Sequence, residues 1–167
     1  MHVLLAIGTR PEAIKLAPLY HALSADPFFT VTTCITSQHR ELLQQMLSFF
    51  NVRSDVDLQV MQPRQTLAAL TCNVLRGADQ LLAEQKPDLV VVQGDTTTAF
   101  TVGLAAFYQR VRVAHVEAGL RSFDLAQPFP EEANRRLVDV FSDLLLAPTA
   151  GAQENLRREG YADEKIF

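Results

Sequence analysis

The sequence predicts an α/β protein: a parallel sheet with helices on both faces. Three observations carry that prediction. Short β-rich runs alternate with longer helical patterns along the chain. Each run is almost continuously apolar, as strands covered on both faces must be. Polar and ionisable residues collect just after the runs, and ligands of open α/β sheets bind outside the carboxyl ends of the strands. Together these features describe a Rossmann-like sheet.

The elements follow in order. "HVLLAIG", 2–8, is a buried strand. "PEAIKLAPLYHALSAD", 11–26, is a helix with Pro11 at its first position, where the missing N–H costs nothing. Ile14, Leu16, Ala17, Leu19 and Leu23 make its apolar stripe, and Pro18 predicts a kink or an early end. "FTVTTCITS" is the next strand, "QHRELLQQMLSFF" the next helix, and "DVDLQV" a short strand. "QTLAALTCNVLRGADQLLAEQK" is a long helix containing Gly77, closed by Pro87 before the strand "DLVVVQG". Then come a helix at 96–109, a strand at 111–117, a helix at 130–142, a strand at 144–148, and a helix at 150–160 ending on Gly160. "DEKIF" closes on Ile166 and Phe167, which read as the start of another strand, so a longer protein is expected.

The chain has 167 residues, 48% of them hydrophobic and 20% charged, which suits one domain over 1–167. The net charge of −4 and the lack of a basic cluster offer nothing to a nucleic-acid backbone. Val3 to Ile7 is too short for a secretory leader and lacks a basic start. No apolar run nears the ~20 residues that span a bilayer. A soluble, cytoplasmic protein is expected, with no membrane partner. Cys34 and Cys72 have no metal or redox spacing and read as reduced, buried thiols. The four histidines, His2, His21, His39 and His115, are scattered, so no metal is expected. The dinucleotide fingerprint, the P-loop and the G-x-S-x-G serine motif are absent.

The strand ends hold the candidate sites. In "GTRPEAIK", Arg10 and Lys15 lie near a helix N-terminus, where cations are disfavoured unless an anion shares the site. A plain strand-to-helix turn is the alternative. In "QGDTTTAF", Asp95 and three threonines are all good N-caps, yet a helix needs one, so Asp95 is partly free of that duty. In "HVEAGLRS", Glu117 follows a strand and Gly119 permits close backbone approach. Glu117 reads equally as a solvated acid paired with Arg121, and His115 as a satisfied strand-end histidine. In "QPFPEEANRR", Glu131 and Glu132 suit the positive end of a helix and make i,i+4 pairs with Arg135 and Arg136. That setting predicts an ionised Glu131, a base or charge stabiliser. "SQHREL" reads first as a polar helix start, and Arg64 of "QPRQTL" as a surface arginine.

Taken in series, "GTRPEAIKLAPL", "TSQHRELL", "GDTTTAF", "HVEAGLRS" and "PFPEEANRRL" resemble the non-hydrolysing UDP-N-acetylglucosamine 2-epimerase family over nearly the whole chain. The resemblance implies the first of two Rossmann-like domains in a glycosyltransferase-B-like arrangement, with the active site in the cleft between them. The second, C-terminal domain is absent from 1–167. It implies interconversion of UDP-N-acetylglucosamine and UDP-N-acetylmannosamine for surface polysaccharide biosynthesis. UDP is eliminated across C1–C2 to give 2-acetamidoglucal and is then added back. Asp95, Glu117 and Glu131 match the family's catalytic acids, with base and proton donor unassigned, and Arg10 and Lys15 match substrate-binding cations. Gln38, Arg64 and Glu131 match the site of an activating second UDP-N-acetylglucosamine, though Glu41 stands where a glutamine can occur. A homodimer and no metal or redox cofactor are implied. The family takes a catalytic histidine and most uridine and diphosphate contacts from the second domain, so the isolated chain should be inactive. The alternatives are a hydrolysing epimerase, an epimerase of another UDP-sugar, and a non-catalytic sugar-nucleotide-binding or dimerisation module. A phosphate-accepting receiver module fits poorly, because "GTR" stands where it needs an acidic pair.

Overall fold

The computed structural model describes residues 1–36, 40–60, 62 and 64–167, with 40 and 41 by backbone alone. Six parallel strands form one sheet: β1 (His2–Ile7), β2 (Thr30–Ile35), β3 (Val56–Asp57), β4 (Leu89–Gln93), β5 (Arg112–Val116) and β6 (Leu144–Leu146). Their spatial order is β3-β2-β1-β4-β5-β6. The chain winds outward from β1 to one edge, returns, and winds outward from β4 to the other. The crevice above β1 and β4 is therefore the switch point of the sheet. The helices are α1 (Arg10–Ala25), α2 (Arg40–Phe49), α3 (Leu67–Gln85), α4 (Thr97–Tyr108), α5 (Glu131–Phe141) and α6 (Ala150–Arg158).

The two-residue period of the strands divides the core. Leu4 and Ala6 of β1, with Val90 and Val92 of β4, pack on Val74 and Ala78 of α3 and on Val102 and Ala106 of α4. Val3, Leu5 and Ile7 point the other way, with Val91, onto Leu16 and Ala17 of α1 and Leu43 and Leu47 of α2. Each fully buried Leu or Ile contributes about 1.5–3 kcal/mol of transfer free energy. On this second face an apolar groove of about 200 Å3 stays open, lined among others by Leu19, Leu23, Ala114, Val116 and Leu144.

Three details differ from the sequence reading, and the chain end follows it. Of the kink or early end expected at Pro18, the early end does not occur: α1 continues to Ala25. Leu16 and Ala17 before Pro18 and Leu19 and Leu23 after it belong to one apolar cluster, whose burial outweighs the lost hydrogen bond. β3 has only two residues, because the Asp57 carboxyl accepts the Gln59 N–H at 3.0 Å and Gln59 turns to φ 48°. Residues 163–165 form a 3-10 turn, after which Ile166 bridges Leu145 in parallel and the Phe167 N–H donates to the Leu145 carbonyl at 2.9 Å, as expected of the start of another strand. Cys34 is buried, with its thiol pushed up to about 12 by burial, but Cys72 is exposed on α3.

Candidate active site

The site begins with a close approach. A Cβ on Gly8 would lie 2.2 Å from Oγ1 of Thr98, so only glycine lets the β1–α1 turn sit against the first turn of α4. Oγ1 of Thr98 bonds Oγ1 of Thr36 at 2.7 Å. Thr96 caps α4, accepting the Ala99 N–H at 3.1 Å. Asp95 is thereby spared the capping role. Its carboxylate meets Arg135 of α5, and its backbone carbonyl accepts the Asn134 side chain at 2.9 Å.

Gly94 takes φ 70°, turning the chain sharply after β4. Glu117, just past β5, takes φ 75°, a left-handed conformation costing a non-glycine residue about 1–2 kcal/mol. Oε2 of Glu117 accepts Nζ of Lys15 at 2.6 Å and the amide of Gln93. Thr9, Glu12, Lys15, Gly94, Asp95 and Glu117 share one cavity of about 140 Å3. Larger hollows lie elsewhere, at the ends of α4 and α5 and beside α3, away from these carboxylates.

Electrostatics bind the cluster together. Burial raises the Asp95 carboxyl above the ordinary aspartate value. The Arg135 guanidinium opposes the shift, while Glu131 and Glu117 add to it. A carboxyl so poised is suited to exchanging a proton, whereas Glu117 is ion-paired with Lys15. Among the described residues, no group of three or more His, Cys, Asp or Glu side chains is arranged to hold a metal ion.

The structure thus brings Asp95, Glu117 and Lys15 to one cavity and sets Glu131 close enough to act on Asp95. Arg10 is exposed at the start of α1 and does not line the cavity. Lys15 has a protein anion in Glu117, so it needs no external one to explain it. Arg64 is exposed in the loop before α3, at φ 60°. Gln38 and His39 lie outside the described residues. The α5 pairings differ from the i,i+4 expectation. Arg135 turns to Asp95 and to Glu132 at 3.6 Å. Glu132 is buried and accepts the backbone N–H groups of Ser122 and Phe123 at 3.0 and 3.3 Å.

Glu12 and Asp139 escaped the sequence reading. Glu12 is 2% exposed in the cavity wall. Its position three residues after Thr9 is the signature of a capping box, the one available signal. Behind the cavity, His115 is fully buried, with Nδ1 2.6 Å from Asp139 and Nε2 2.7 Å from the Gly94 carbonyl. Asp139 also accepts Nη2 of Arg121 at 2.7 Å, and Arg121 continues to Glu159. Arg121 is therefore not the partner of Glu117, and His115 is the satisfied histidine that the sequence suggested.

Known proteins align with this geometry. The sequence pattern of the UDP-N-acetylglucosamine 2-epimerase family matches residues 21–167. The UDP-N-acetylglucosamine 2-epimerase of Escherichia coli (strain K12) is 54% identical over all of this chain and 44% of its own length. A crystal structure of UDP-GlcNAc 2-epimerase from Neisseria meningitidis, bound to UDP-GlcNAc, is 48% identical with a TM-score of 0.96 over 100% of this chain and 46% of that one. The Methanocaldococcus jannaschii UDP-GlcNAc 2-epimerase, in complex with UDP-GlcNAc and UDP, is 39% identical with a TM-score of 0.94, covering 100% of this chain and 46% of that one. The chain spans less than half the length of these relatives. Matched along almost its whole sequence and throughout its fold, it belongs to the UDP-N-acetylglucosamine 2-epimerase family.

Proposed function

We propose that residues 1–167 are the N-terminal domain of a UDP-N-acetylglucosamine 2-epimerase that acts by elimination and re-addition of UDP through 2-acetamidoglucal. The observation that carries this reading is the placement of Asp95 and Glu117 just past the carboxyl ends of the neighbouring parallel strands β4 and β5, with Glu131 at the start of α5 bearing on Asp95. Inversion at C2 needs a proton removed from one face of the sugar and returned to the other. Distinct carboxyls in different environments serve such a pair of roles. Asp95, raised by burial, and Glu117, held by Lys15, have those different environments. Lys15, at the cavity though paired with Glu117, is the cation nearest to where a departing diphosphate would lie, and Arg10 at the exposed start of α1 would meet it only from the rim.

The rest of the catalytic cleft comes from the protein's own C-terminal domain, so the isolated chain is inactive. The relatives' additional length and the open apolar groove on the sheet support such a partner. Exposed Phe107 and Tyr108 of α4 and Leu137 and Val140 of α5 support a homodimer, which sedimentation velocity tests. A nucleotide-sugar substrate and the exposed, unpaired Cys72 thiol fit a reducing cytoplasm. An activating UDP-N-acetylglucosamine would meet Gln38, Arg64 and Glu131, and loss of activation in Arg64→Ala tests that role.

The deciding experiment follows solvent-deuterium exchange at sugar C2 in the two-domain protein. Asp95→Asn is expected to slow it by about 10²–10⁴-fold. Undiminished exchange removes Asp95 from the chemistry. Release of free N-acetylmannosamine would instead mark a hydrolysing epimerase.

A further inference from the structure

Glu12 is a buried carboxyl at the site that the chemistry above leaves unused. Its Oε2 accepts the backbone N–H groups of Gly8 and, at 2.8 Å, of Thr9. Its Oε1 accepts the Thr96 hydroxyl at 2.5 Å. Gly8 and Thr9 form the turn from β1 into α1, while Thr96 belongs to the turn from β4 that presents Asp95. One carboxylate therefore straps together the two turns that frame the switch point of the sheet.

The bonding pattern depends on one proton. An ionised carboxylate only accepts, so all three bonds form at once. A protonated one must donate with one oxygen. Oε2 faces two N–H donors, which leaves Oε1 as the place for the proton. An Oε1–H then donates to Oγ1 of Thr96, reversing that bond. Oγ1 already accepts from Ala99 N–H, so its own hydrogen must swing away from Glu12. Thr96 lines the same cavity as Asp95.

We propose that Glu12 is a positioning residue for the reaction. It straps the β1–α1 turn to the Asp95 turn, and its proton decides whether the Thr96 hydroxyl points back at Glu12 or into the cavity as a donor to a sugar or phosphate oxygen. This inference rests on the epimerase reading of the same site.

The proton is available. Burial pushes Glu12 up to about 7, against the hydrogen bonds from Thr96, Gly8 and Thr9 and with help from the Asp95 charge. The other charged groups on the cavity, among the described residues, are Lys15 from α1 and Glu117 from the end of β5, which pair with each other. From α5, Arg135 is held by Asp95, and Glu131 bears on Asp95. Both orientations of Thr96 are thus populated near neutral pH.

Two measurements test the inference. In the 167-residue chain, carboxyl 13C NMR with Glu12→Gln as the assignment control should show Glu12 titrating near 7. A midpoint in the ordinary glutamate range would overturn the switch. In the two-domain protein, the pH profile of C2 deuterium exchange should contain an inflection near 7 that Glu12→Gln and Thr96→Val both remove. In each, kcat should fall about tenfold with little change in KM, a scale set by misorientation of reacting groups. Thr96→Ser should restore both rate and profile. Wild-type rate and profile in Glu12→Gln and Thr96→Val would refute the positioning role. A wild-type protein that exchanges no C2 hydrogen sinks the epimerase reading instead, and the NMR titration then still decides the state of Glu12.

Discussion

Two ionisable clusters meet at the end of β5, where His115 and Glu117 are two residues apart, and differ in how they are built. The network behind the cavity joins His115, Asp139, Arg121 and Glu159. The side chains of His115, Asp139 and Arg121 are wholly shielded from solvent, and each ring nitrogen of His115 has a partner. It ties the β4 exit, β5, α5 and the end of α6 into one unit. The cavity cluster of Glu12, Asp95, Glu117 and Lys15 shares the same strands, yet Asp95 keeps 30% of its side chain exposed and Lys15 47%. One cluster closes on itself as structure. The other is held open from below and leaves its charges facing space.

Breaking the closed cluster should have the largest effect on stability. Asp139→Ala strands Arg121 and His115 without their shared buried partner, and urea unfolding should show a loss of about 3–5 kcal/mol. The cavity cluster responds to pH instead. Glu12 lies at about 7 in the fold against an ordinary value of 4.5, so the folded state binds more protons between those values. Stability from this group is complete below about 4.5 and is lost as pH rises through 7, a change of about 3 kcal/mol. Unfolding curves across that window should slope downward with pH in the wild type and flatten in Glu12→Gln. Gly8→Ala tests the contact on which the cavity rests. Its Cβ would collide with Thr98, costing about 1–3 kcal/mol by thermal or urea unfolding. The smallest effect belongs to the exposed rim. Lys15→Met should alter stability by no more than about 1 kcal/mol, since half-exposed ion pairs contribute little.

Much of this was legible in the sequence, and the exceptions share a cause. Asp95 and Glu117 could be found because a parallel sheet directs attention to the residue after each strand. Four candidate caps in a row also signalled that Asp95 was spare, and Thr96 does take the cap. Glu12 was not legible as part of the site. Locally it is only the fourth residue of a Thr-x-x-Glu box. Its burial and its bond to Thr96 arise from an approach across 84 positions of sequence, which Gly8 permits. The Glu131–Arg135 pairing failed for a related reason. Helix spacing counts neighbours on one surface, whereas Arg135 finds Asp95 on another element. The early end offered as one outcome at Pro18 did not occur, because local propensity says nothing of the apolar face that α1 shares on both sides of the ring.

Glu117 carries one more implication. Its φ of 75° is a backbone state that glycine or asparagine would occupy at lower cost. Selection on folding alone would favour either of them there. Library screens that reward thermostability should therefore drift toward Gly or Asn at this position and discard the carboxylate, while screens for turnover hold it. On the role proposed for Glu117, the interests of the fold and of the chemistry diverge at this residue.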